Sequence, residues 1–474
     1  MSGLPTLQPT KITMTPTVAQ QVAKHFCRLD YRAVPEQNRR AVKRLLLDYL
    51  GVAIAGSQTE SGRIARKFAE VQGGKAEATL IGANSRVPMT HGSFANAISS
   101  HSIELDDIDV LALFHFSPPV FSAALAAAER QGANGKQLLA ALAAGCEMME
   151  RVSKAANNSL RNRAFHTTPT CGVFGATVAA GKILKLSPTK LSAALGLAGA
   201  QASGLMEMYG PSMQKRFNPG PAARNGVTSA LIAQLGFTGA ETIFEGDRGF
   251  LRAFTDKSDA TQLTQGLNKP YQLDIEFKPY SCARPIHNAI DCALNIRKRD
   301  NPDLGQISQI EVARHPDWAY YHQNKAPKTY HEAQVSLPYS IAVAFKEGQA
   351  LLKQYSDRML KDPLLLSLMN LTRITVDSTL PRGVSCKMTV TMDDGRKLAS
   401  HVDYPKGSIQ NSMSDAEIRV KFDNLATPVL GATRASQIAE LVGNIEKCGD
   451  VGRLMHLTAK PKKSPGKRRK ATRK

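Results

Sequence analysis

Two long segments of small and apolar residues constrain the fold of this chain more than any other feature. Residues 117–145 are rich in Ala and Leu, and residues 171–204 are rich in Ala and Gly. Small side chains allow helices to approach one another closely, and a helix that is apolar on all sides must be buried. The two segments therefore predict closely packed helices at the centre of a large helical body.

The character of the sequence changes after about residue 275, where β-branched residues begin to alternate with polar ones. Residues 306–312 and 371–376 have this pattern, which predicts strands. Residues 387–392 and 396–402 flank Asp393-Asp394-Gly395, and this arrangement predicts a β-hairpin with an Asp-Gly turn. We therefore expect a mainly α protein with an inserted α+β domain.

Helical patterns complete the expected organisation. One lies between the predicted strands at residues 336–346, and another runs from Asp415 to about Asn444. The chain is expected to divide into an irregular lead-in (1–16), a first helical part (17–275), an α+β lid domain (276–408), a C-terminal helical part (409–456) and a disordered basic tail (457–474).

The charge of the chain is strongly positive, and part of it lies in the tail. The net charge is +21, and the last fifteen residues hold nine Lys or Arg without any acid. Such a run is compatible with nucleic-acid binding or localisation, but a solvated terminus is the simpler interpretation, and we expect no nucleic-acid partner. The +12 that remains without the tail would attract anionic substrates.

The expected compartment is the cytoplasm. The chain has no run of about eighteen apolar residues, and its first 29 residues lack the pattern of a signal or transit peptide. Seven scattered cysteines, without a C-x2-C pair, fit reduced thiols and provide no clustered set of iron–sulfur ligands. We therefore expect neither a membrane span nor an iron–sulfur cluster.

A first polar cluster combines His101, Glu104, Asp106 and Asp107, and His115 follows closely. Three carboxylates so near to one another repel each other unless other groups organise them. They could cap the next helix, orient a histidine that exchanges protons near neutral pH, or ligate a metal ion. The residues by themselves leave these three possibilities open.

A second cluster contains His166, just before an Ala- and Gly-rich helix. Thr168 or Thr170 could cap that helix, and a helix N-terminus favours an anion. His166 then fits a carboxylate ligand or an acid–base group, and it fits equally well a structural histidine at a helix entry.

Two further clusters are cationic. Lys215 and Arg216 precede a Gly-bearing approach to a small-residue helix, which suits carboxylate binding, although an exposed basic turn is also possible. Lys278 precedes Arg284 and His287 near the expected domain junction, a common place for a ligand cleft. Together the four clusters indicate an anion site.

The order of these clusters resembles that in the MmgE/PrpD family, which includes 2-methylcitrate dehydratases, cis-aconitate decarboxylases and iminodisuccinate epimerases. The resemblance covers roughly residues 17–456. It rests on LLLDYLGVAIAGS (45–57), ANAISSHSIELDD (95–107), FHTTPTCGVFGATVAAGKILKLS (165–187), KRFNPGPAARNGV (215–227), FEGDRGFLRAF (244–254), FKPYSCARPIHNAID (277–291) and Tyr404-Pro405-Lys406-Gly407.

The resemblance implies a large helical domain with a smaller α+β lid, usually in a homodimer. It also implies chemistry on small di- and tricarboxylates without a metal or organic cofactor. The expected catalytic residues are Glu104, His115, His166 and the lid residue Tyr321, with Tyr320 as the neighbouring candidate. The residues expected to bind substrate are Lys215, Arg216, Lys278 and Asp107.

Two positions depart from the family pattern: Ile108 stands where a Thr is expected, and Asn218 stands where many relatives have His. The expected activity is that of a lyase, dehydratase-like before decarboxylase-like, in which histidines transfer protons and lysines anchor carboxylates. The alternatives are an isomerase or epimerase on the same fold, an inactive member of the family, or a nucleic-acid binder that uses the basic tail.

Overall fold

The computed structural model describes residues 15–109, 114–208, 212–381 and 385–461. The buried apolar residues form two main cores. The larger core joins residues 19–277 to residues 413–455, and the smaller core lies within residues 282–392. This arrangement confirms the predicted fold class, a mainly α protein with an α+β part between two helical stretches.

The large core is built from helices. Before the smaller core the helices are α1 (Val18–Arg28), α2 (Glu36–Gly56), α3 (Glu60–Gln72), α4 (Met89–Ser100), α5 (Ser117–Gln131), α6 (Gly135–Ala156), α7 (Ser159–Asn162), α8 (Thr167–Ile183), α9 (Pro188–Gly199), α10 (Gln214–Phe217), α11 (Pro219–Gln234), α12 (Phe250–Phe254) and α13 (Thr261–Thr264). A short antiparallel pair, β1 (Ala78–Thr79) and β2 (Arg86–Val87), accompanies them.

The smaller core combines helices and a sheet. Its elements are α14 (His287–Asp300), β3 (Ile307–Arg314), α15 (Pro316–Ala319), α16 (Tyr330–Ala333), α17 (Leu337–Glu347), α18 (Pro363–Leu371), β4 (Thr372–Val376), β5 (Cys386–Met392) and β6 (Lys397–Val402). The chain then returns to the helical body with α19 (Asp415–Leu430), α20 (Ala432–Gly443) and α21 (Gly452–Thr458). Short 3₁₀ turns occur at Arg284–Ile286, Leu304–Gln306, Leu352–Gln354, Met359–Lys361 and Ile445–Lys447.

The small residues of α6 and α8 have the packing role that their composition predicts. A Cβ atom added at Gly145 would lie 2.8 Å from the carbonyl oxygen of Gly175, and one added at Gly175 would lie 2.6 Å from that of Gly145. Both distances are too short for real contacts, so the two helices are this close because neither position has a side chain.

The sheet of the smaller core has the strand order β4-β3-β5-β6. Strand β3 pairs in parallel with β4 and antiparallel with β5, which pairs antiparallel with β6. Gly395 has a φ of 84° in the β5–β6 turn, a conformation that glycine adopts without strain. The predicted hairpin around the Asp-Gly turn is therefore confirmed.

The predicted helical pattern of the C-terminal stretch is confirmed. It consists of two helices that meet at Gly431, whose φ is 82°. Residues 1–14 of the expected lead-in and residues 462–474 of the expected tail lie outside the described residues. The exact domain boundaries stay predictions.

The predictions about cysteines and membrane spans agree with the structure as far as it describes the chain. All seven cysteines are free. Among the described helices, none is both long and apolar enough to cross a membrane.

Candidate active site

A cavity of about 100 Å³ lies where the α+β part meets the helical body. Each of the four polar clusters contributes to its wall. The lining residues are Glu104, Ile108, His115, Arg161, His166, Met208, Lys215, Lys278, Ala283, Arg284, Pro285, Trp318 and His322.

A backbone bridge holds the first cluster against the fourth. Ile108 and Glu276 exchange two N–H···O bonds of 3.0 Å each, and Ser281 donates a 2.7 Å hydrogen bond to the carbonyl oxygen of Ile103. These bonds place Lys278 beside Glu104, whose own backbone turns at a φ of 56°. The cavity therefore depends on pairing between two segments that are far apart in sequence.

The carboxylate of Glu104 lies at the centre of a group of buried cations. Lys215 Nζ donates to its Oε1, Lys278 Nζ lies 3.5 Å from its Oε2, and Arg216 Nη2 lies 3.6 Å from Oε1. Burial raises the pKa of Glu104, but the three cations outweigh burial and hold the pKa well below its usual value. Glu104 is therefore a permanent anion that orders the cations, and it is poorly suited to proton transfer near neutral pH.

The carboxylate of Asp106 joins this charged group to two histidines. Its Oδ2 lies 2.7 Å from His101 Nδ1 and 3.2 Å from His115 Nδ1, while its Oδ1 lies 3.9 Å from Lys278 Nζ. Burial raises the pKa of Asp106, but His115, His101 and Lys278 together lower it far below the usual range. Asp106 is thus ionised and can orient both imidazole rings.

The imidazole of His115 faces two oxygen acceptors at one ring nitrogen. Its Nδ1 contacts the carbonyl oxygen of Asp107 as well as the carboxylate of Asp106, so we assign the proton of the neutral ring to Nδ1. Nε2 then has a lone pair available for a proton. Burial, opposed by Asp106 and assisted by Lys278, lowers the pKa of His115 to about 3, so the ring is neutral in the free protein near pH 7.

The Nδ1 atom of His166 accepts a hydrogen bond, whereas that of His115 donates one. Asn218 Nδ2 lies 2.9 Å from His166 Nδ1 and 3.1 Å from Met208 Sδ. Because thioether sulfur is an acceptor, the amide nitrogen is the group that points to both partners, and His166 Nδ1 accepts its hydrogen. We therefore assign the ring proton of His166 to Nε2. Burial and the charged neighbours lower the pKa of His166 well below its usual value.

The atoms of His101, Asp106 and His115 lie close enough to ligate a metal ion, since they are within 4.8 Å of one another. Their contacts favour another arrangement. Each imidazole Nδ1 is already at hydrogen-bond distance from Asp106 Oδ2, and Lys278 Nζ stands 3.9 Å from the other carboxylate oxygen. A divalent cation there would have to displace both hydrogen bonds and approach a buried ammonium group.

Asp107, expected to bind substrate, is not among the lining residues. Its carboxylate accepts hydrogen bonds from the backbone N–H groups of Phe116 (2.7 Å) and Ser117 (3.1 Å), and from the Ser117 hydroxyl. These groups form the start of α5, so Asp107 has the capping role that was one of the open interpretations of the first cluster.

The expected caps of α8 are likewise wrong. The N-cap is His166, so Thr168 and Thr170 lie inside the helix. Thr170 donates a 2.9 Å hydrogen bond to the His166 carbonyl oxygen, and the Thr168 hydroxyl accepts one of 3.2 Å from the backbone N–H of His115. Thr168 therefore holds the backbone of His115 against α8, the helix whose N-cap is His166.

The lid tyrosines do not line the cavity. The side chains of Tyr321 and Tyr320 are 58% and 73% exposed, and the neighbouring residues Trp318 and His322 line the cavity in their place. Arg216 also lies outside the lining; it is buried, and it donates a 3.1 Å hydrogen bond to Gln334 in addition to its contact with Glu104.

Sequence reasoning missed several residues of this site. His101 and Asp106 stand in the first cluster, and their carboxylate–imidazole spacing is the signal that could have assigned them. Arg161, Trp318 and His322 have no neighbouring motif that points to a cavity.

Comparison with known proteins covers most of the chain. Residues 20–263 match the MmgE/PrpD N-terminal domain, and residues 280–447 match the MmgE/PrpD C-terminal domain. The chain is 30% identical over 455 residues to the cis-aconitate decarboxylase-like protein oryM of Aspergillus oryzae, covering 90% of this chain and 93% of that protein.

Two further relatives are named cis-aconitate decarboxylase. The one from Aspergillus terreus is 27% identical over 417 residues, covering 81% of this chain and 84% of the relative. The one from Homo sapiens is 26% identical over 437 residues, covering 88% and 90%.

Proposed function

The chain belongs to the MmgE/PrpD family, and from this premise we propose that it is a lyase acting on a small di- or tricarboxylate without a metal or organic cofactor. The observation that carries the proposal is the group of buried cations beside the cavity, with two histidines in the same wall. Fixed cations stabilise the negative charge that develops next to a carboxylate during such reactions.

The balance of charge around the cavity supports an anionic substrate. Lys215, Lys278 and Arg216 surround Glu104, and Asp106 is shared with two histidines. Uncompensated buried charge is expensive, so the remaining positive charge is best balanced by an anion that enters the cavity. A substrate with several carboxylates meets this need.

Decarboxylation is the first candidate reaction. The sequence alone favours dehydration, but the relatives named cis-aconitate decarboxylase favour decarboxylation of cis-aconitate or a similar unsaturated tricarboxylate. In that reaction the bond between carbon and one carboxylate breaks and CO₂ leaves. The electron pair remains on the substrate, delocalised towards the other carboxylates, and one proton forms a new C–H bond. Lysine ammonium groups would stabilise the carbanion-like state.

A histidine would supply that proton. His115 and His166 are neutral in the free site, because burial and nearby cations lower the pKa of each. A bound polycarboxylate brings negative charge that opposes the cations, so it raises the pKa of both rings and favours uptake of a proton with the substrate. Positioned acid–base catalysis of this kind contributes roughly 10²–10⁴-fold to the rate.

The test is a product-resolved screen of cis-aconitate, 2-methylcitrate and citrate with purified protein in the presence of a chelator. We expect one of these acids, or a close analogue, to be converted with the chelator present. Lys278→Met is expected to lower kcat/KM by about 10²-fold, on the order of the loss of one charge-assisted contact in the transition state. The control is Lys43→Met, which removes a Lys–Glu446 pair of 3.0 Å on another face of the protein.

The outcomes separate the candidates. Release of CO₂ identifies a decarboxylase, release of water a dehydratase, and inversion of a chiral centre without either identifies an epimerase. The proposal would be contradicted if the wild-type protein neither bound nor converted any small polycarboxylate. The expected homodimer remains a prediction, and light scattering of the purified protein would check it.

A further inference from the structure

The cations of the cavity differ in how far protein carboxylates already neutralise them. Lys215 and Lys278 both contact Glu104. Arg284 donates to the Glu276 carboxylate at 2.8 and 3.2 Å, and also to the carbonyl oxygen of Lys406 at 2.9 Å. Each of these side chains has a protein anion beside it before any substrate binds.

Arg161 is different. It lies in the four-residue helix α7, lines the cavity, and is partly buried. Its recorded polar contact is that of Nη1 with Met206 Sδ, at 3.9 Å. Thioether sulfur is a weak acceptor. Within the ranges that the structure describes, Arg161 forms no ion pair with a carboxylate, so its guanidinium is available to a ligand.

Arg161 shares the cavity wall with the two candidate histidines, His115 and His166. Burial lowers the pKa of His166 most, and the charge of Arg161 is among those that lower it further. The guanidinium therefore faces the same space as the rings that are proposed to transfer the proton.

Resting on the function proposed above, we propose that Arg161 is a further substrate-binding residue, which holds a second carboxylate separate from the one that Lys215 and Lys278 hold. A guanidinium binds a carboxylate through two parallel N–H···O bonds, which an ammonium group cannot do. Two separate anchors in one cavity would orient the reacting carbon, and they would favour acids whose carboxylates are spaced along a carbon chain.

The test measures the affinity of tricarballylate, an unreactive tricarboxylate, by calorimetry. Two dicarboxylates complete the set: glutarate lacks its central carboxylate, and 2-methylsuccinate lacks one terminal carboxylate. We expect Arg161→Met to weaken tricarballylate binding about 10- to 100-fold, because a charge-assisted hydrogen bond contributes roughly 1.5–3 kcal/mol. Arg161→Lys should lose less, since it keeps the charge without the paired geometry. At least one dicarboxylate should be affected much less than tricarballylate, because it lacks the carboxylate that Arg161 holds.

The matched control is Arg163→Met, two residues away, which removes an exposed arginine paired with Asp256 at 2.6 Å. This variant should bind all three acids like the wild type. Equal binding of tricarballylate by wild type and Arg161→Met would overturn the inference and leave the proposed function standing. An equal loss for all three acids would also overturn it, because a general field effect needs no direct contact. Wild-type protein that binds none of the acids would overturn the proposed function, and the inference with it.

Discussion

Two buried charged groups in this protein are built in different ways. The cavity cluster consists of Glu104, Asp106, Lys215 and Lys278, which come from three separate segments. All of them except Asp106 line the cavity. The α6 cluster consists of Glu147, Glu150, Arg151 and Lys154 on consecutive turns of one helix. In the α6 cluster each acid has its own cation four residues later.

Arg151 of the α6 cluster is bound by several partners from the protein itself. Arg151 donates to Glu147 at 2.8 Å and to the carbonyl oxygens of Gln262 and Gln265 at 3.2 and 2.8 Å, and its guanidinium lies 4.4 Å from the centre of the Tyr271 ring. Such a group ties α6 to the segment around α13. It has a structural role and leaves little for a ligand to bind.

The cavity cluster leaves charge to be balanced. Its lysines share Glu104, and Arg216 and Arg161 add further positive charge close by. The comparison teaches that burial of ionised residues does not by itself identify a functional site. The informative features are an excess of one sign of charge, contributions from distant segments, and an open space beside the charges.

The largest expected effect is a loss of kcat/KM, which should occur for the histidines of the cavity but not for the histidine beside the α6 cluster. We expect His115→Ala and His166→Ala each to lower kcat/KM by roughly 10²–10⁴-fold, the usual contribution of a positioned acid–base group. The matched control is His25→Ala, which removes a partly buried histidine 3.7 Å from Glu147 in the α6 cluster. Steady-state kinetics on folded protein measures all three.

The control decides how this result is interpreted. His25→Ala should keep the turnover of the wild type per folded molecule, because His25 does not line the cavity. Unchanged activity of the double variant His115→Ala/His166→Ala would show that neither ring transfers a proton, and a similar loss in His25→Ala would erase the distinction between the two clusters.

The next effect concerns stability. Arg151→Met should lower the free energy of unfolding by about 3–5 kcal/mol, because it leaves the buried Glu147 without its cation. Lys215→Met should cost less, because Glu104 keeps Lys278 at 3.5 Å and Arg216 at 3.6 Å. Urea unfolding measures both variants.

For activity the order of the two variants should be reversed, with the larger loss in Lys215→Met. Arg151→Met is expected to retain the kcat/KM of the wild type at temperatures where it is folded, whereas Lys215→Met should lose substrate affinity. If Lys215→Met proved the less stable variant while binding polycarboxylates normally, the cavity cluster would be structural and the comparison would fail.

Most of the fold could be predicted from sequence because its signals are local. The Ala- and Gly-rich segments form α5, α6 and α8, and the Asp-Gly turn forms the β5–β6 hairpin. The sequence does not indicate the break at Gly431, where a positive φ of 82° separates two helices, because the helical pattern continues on both sides.

The site could be predicted only in part. His115, His166, Lys215 and Lys278 line the cavity, as their clusters suggested. The sequence could not show that Glu104 lines the cavity whereas Asp107 caps a helix. The two roles depend on the direction in which the chain turns after α4. The role of Asn218 as the hydrogen-bond partner of His166 depends on the fold and could not be predicted from its neighbours in sequence.

A further expected effect is the pH dependence of kcat/KM, which distinguishes proton donation from proton abstraction. The pKa of His115 is about 3 in the free protein, so the protonated fraction falls tenfold for each pH unit above that value. If decarboxylation draws its proton from this ring, kcat/KM should fall about tenfold per unit between pH 5 and 8, after correction for substrate ionisation. If the neutral ring abstracts a proton instead, kcat/KM should be flat over the same range.

His25 is expected to affect the pH dependence of stability and not that of kcat/KM. Its pKa is lowered to about 4, chiefly by burial and then by Arg151 and Lys182. Because this folded-state pKa lies below the unfolded value of about 6.5, the unfolded chain binds more protons, and stability is lost as the pH falls from 6.5 towards 4. His25→Ala should therefore reduce the loss of stability in acid without changing the slope of kcat/KM above pH 5. A changed slope in His25→Ala would mean that the α6 cluster reaches the chemistry, whereas an unchanged slope restricts proton transfer to the cavity.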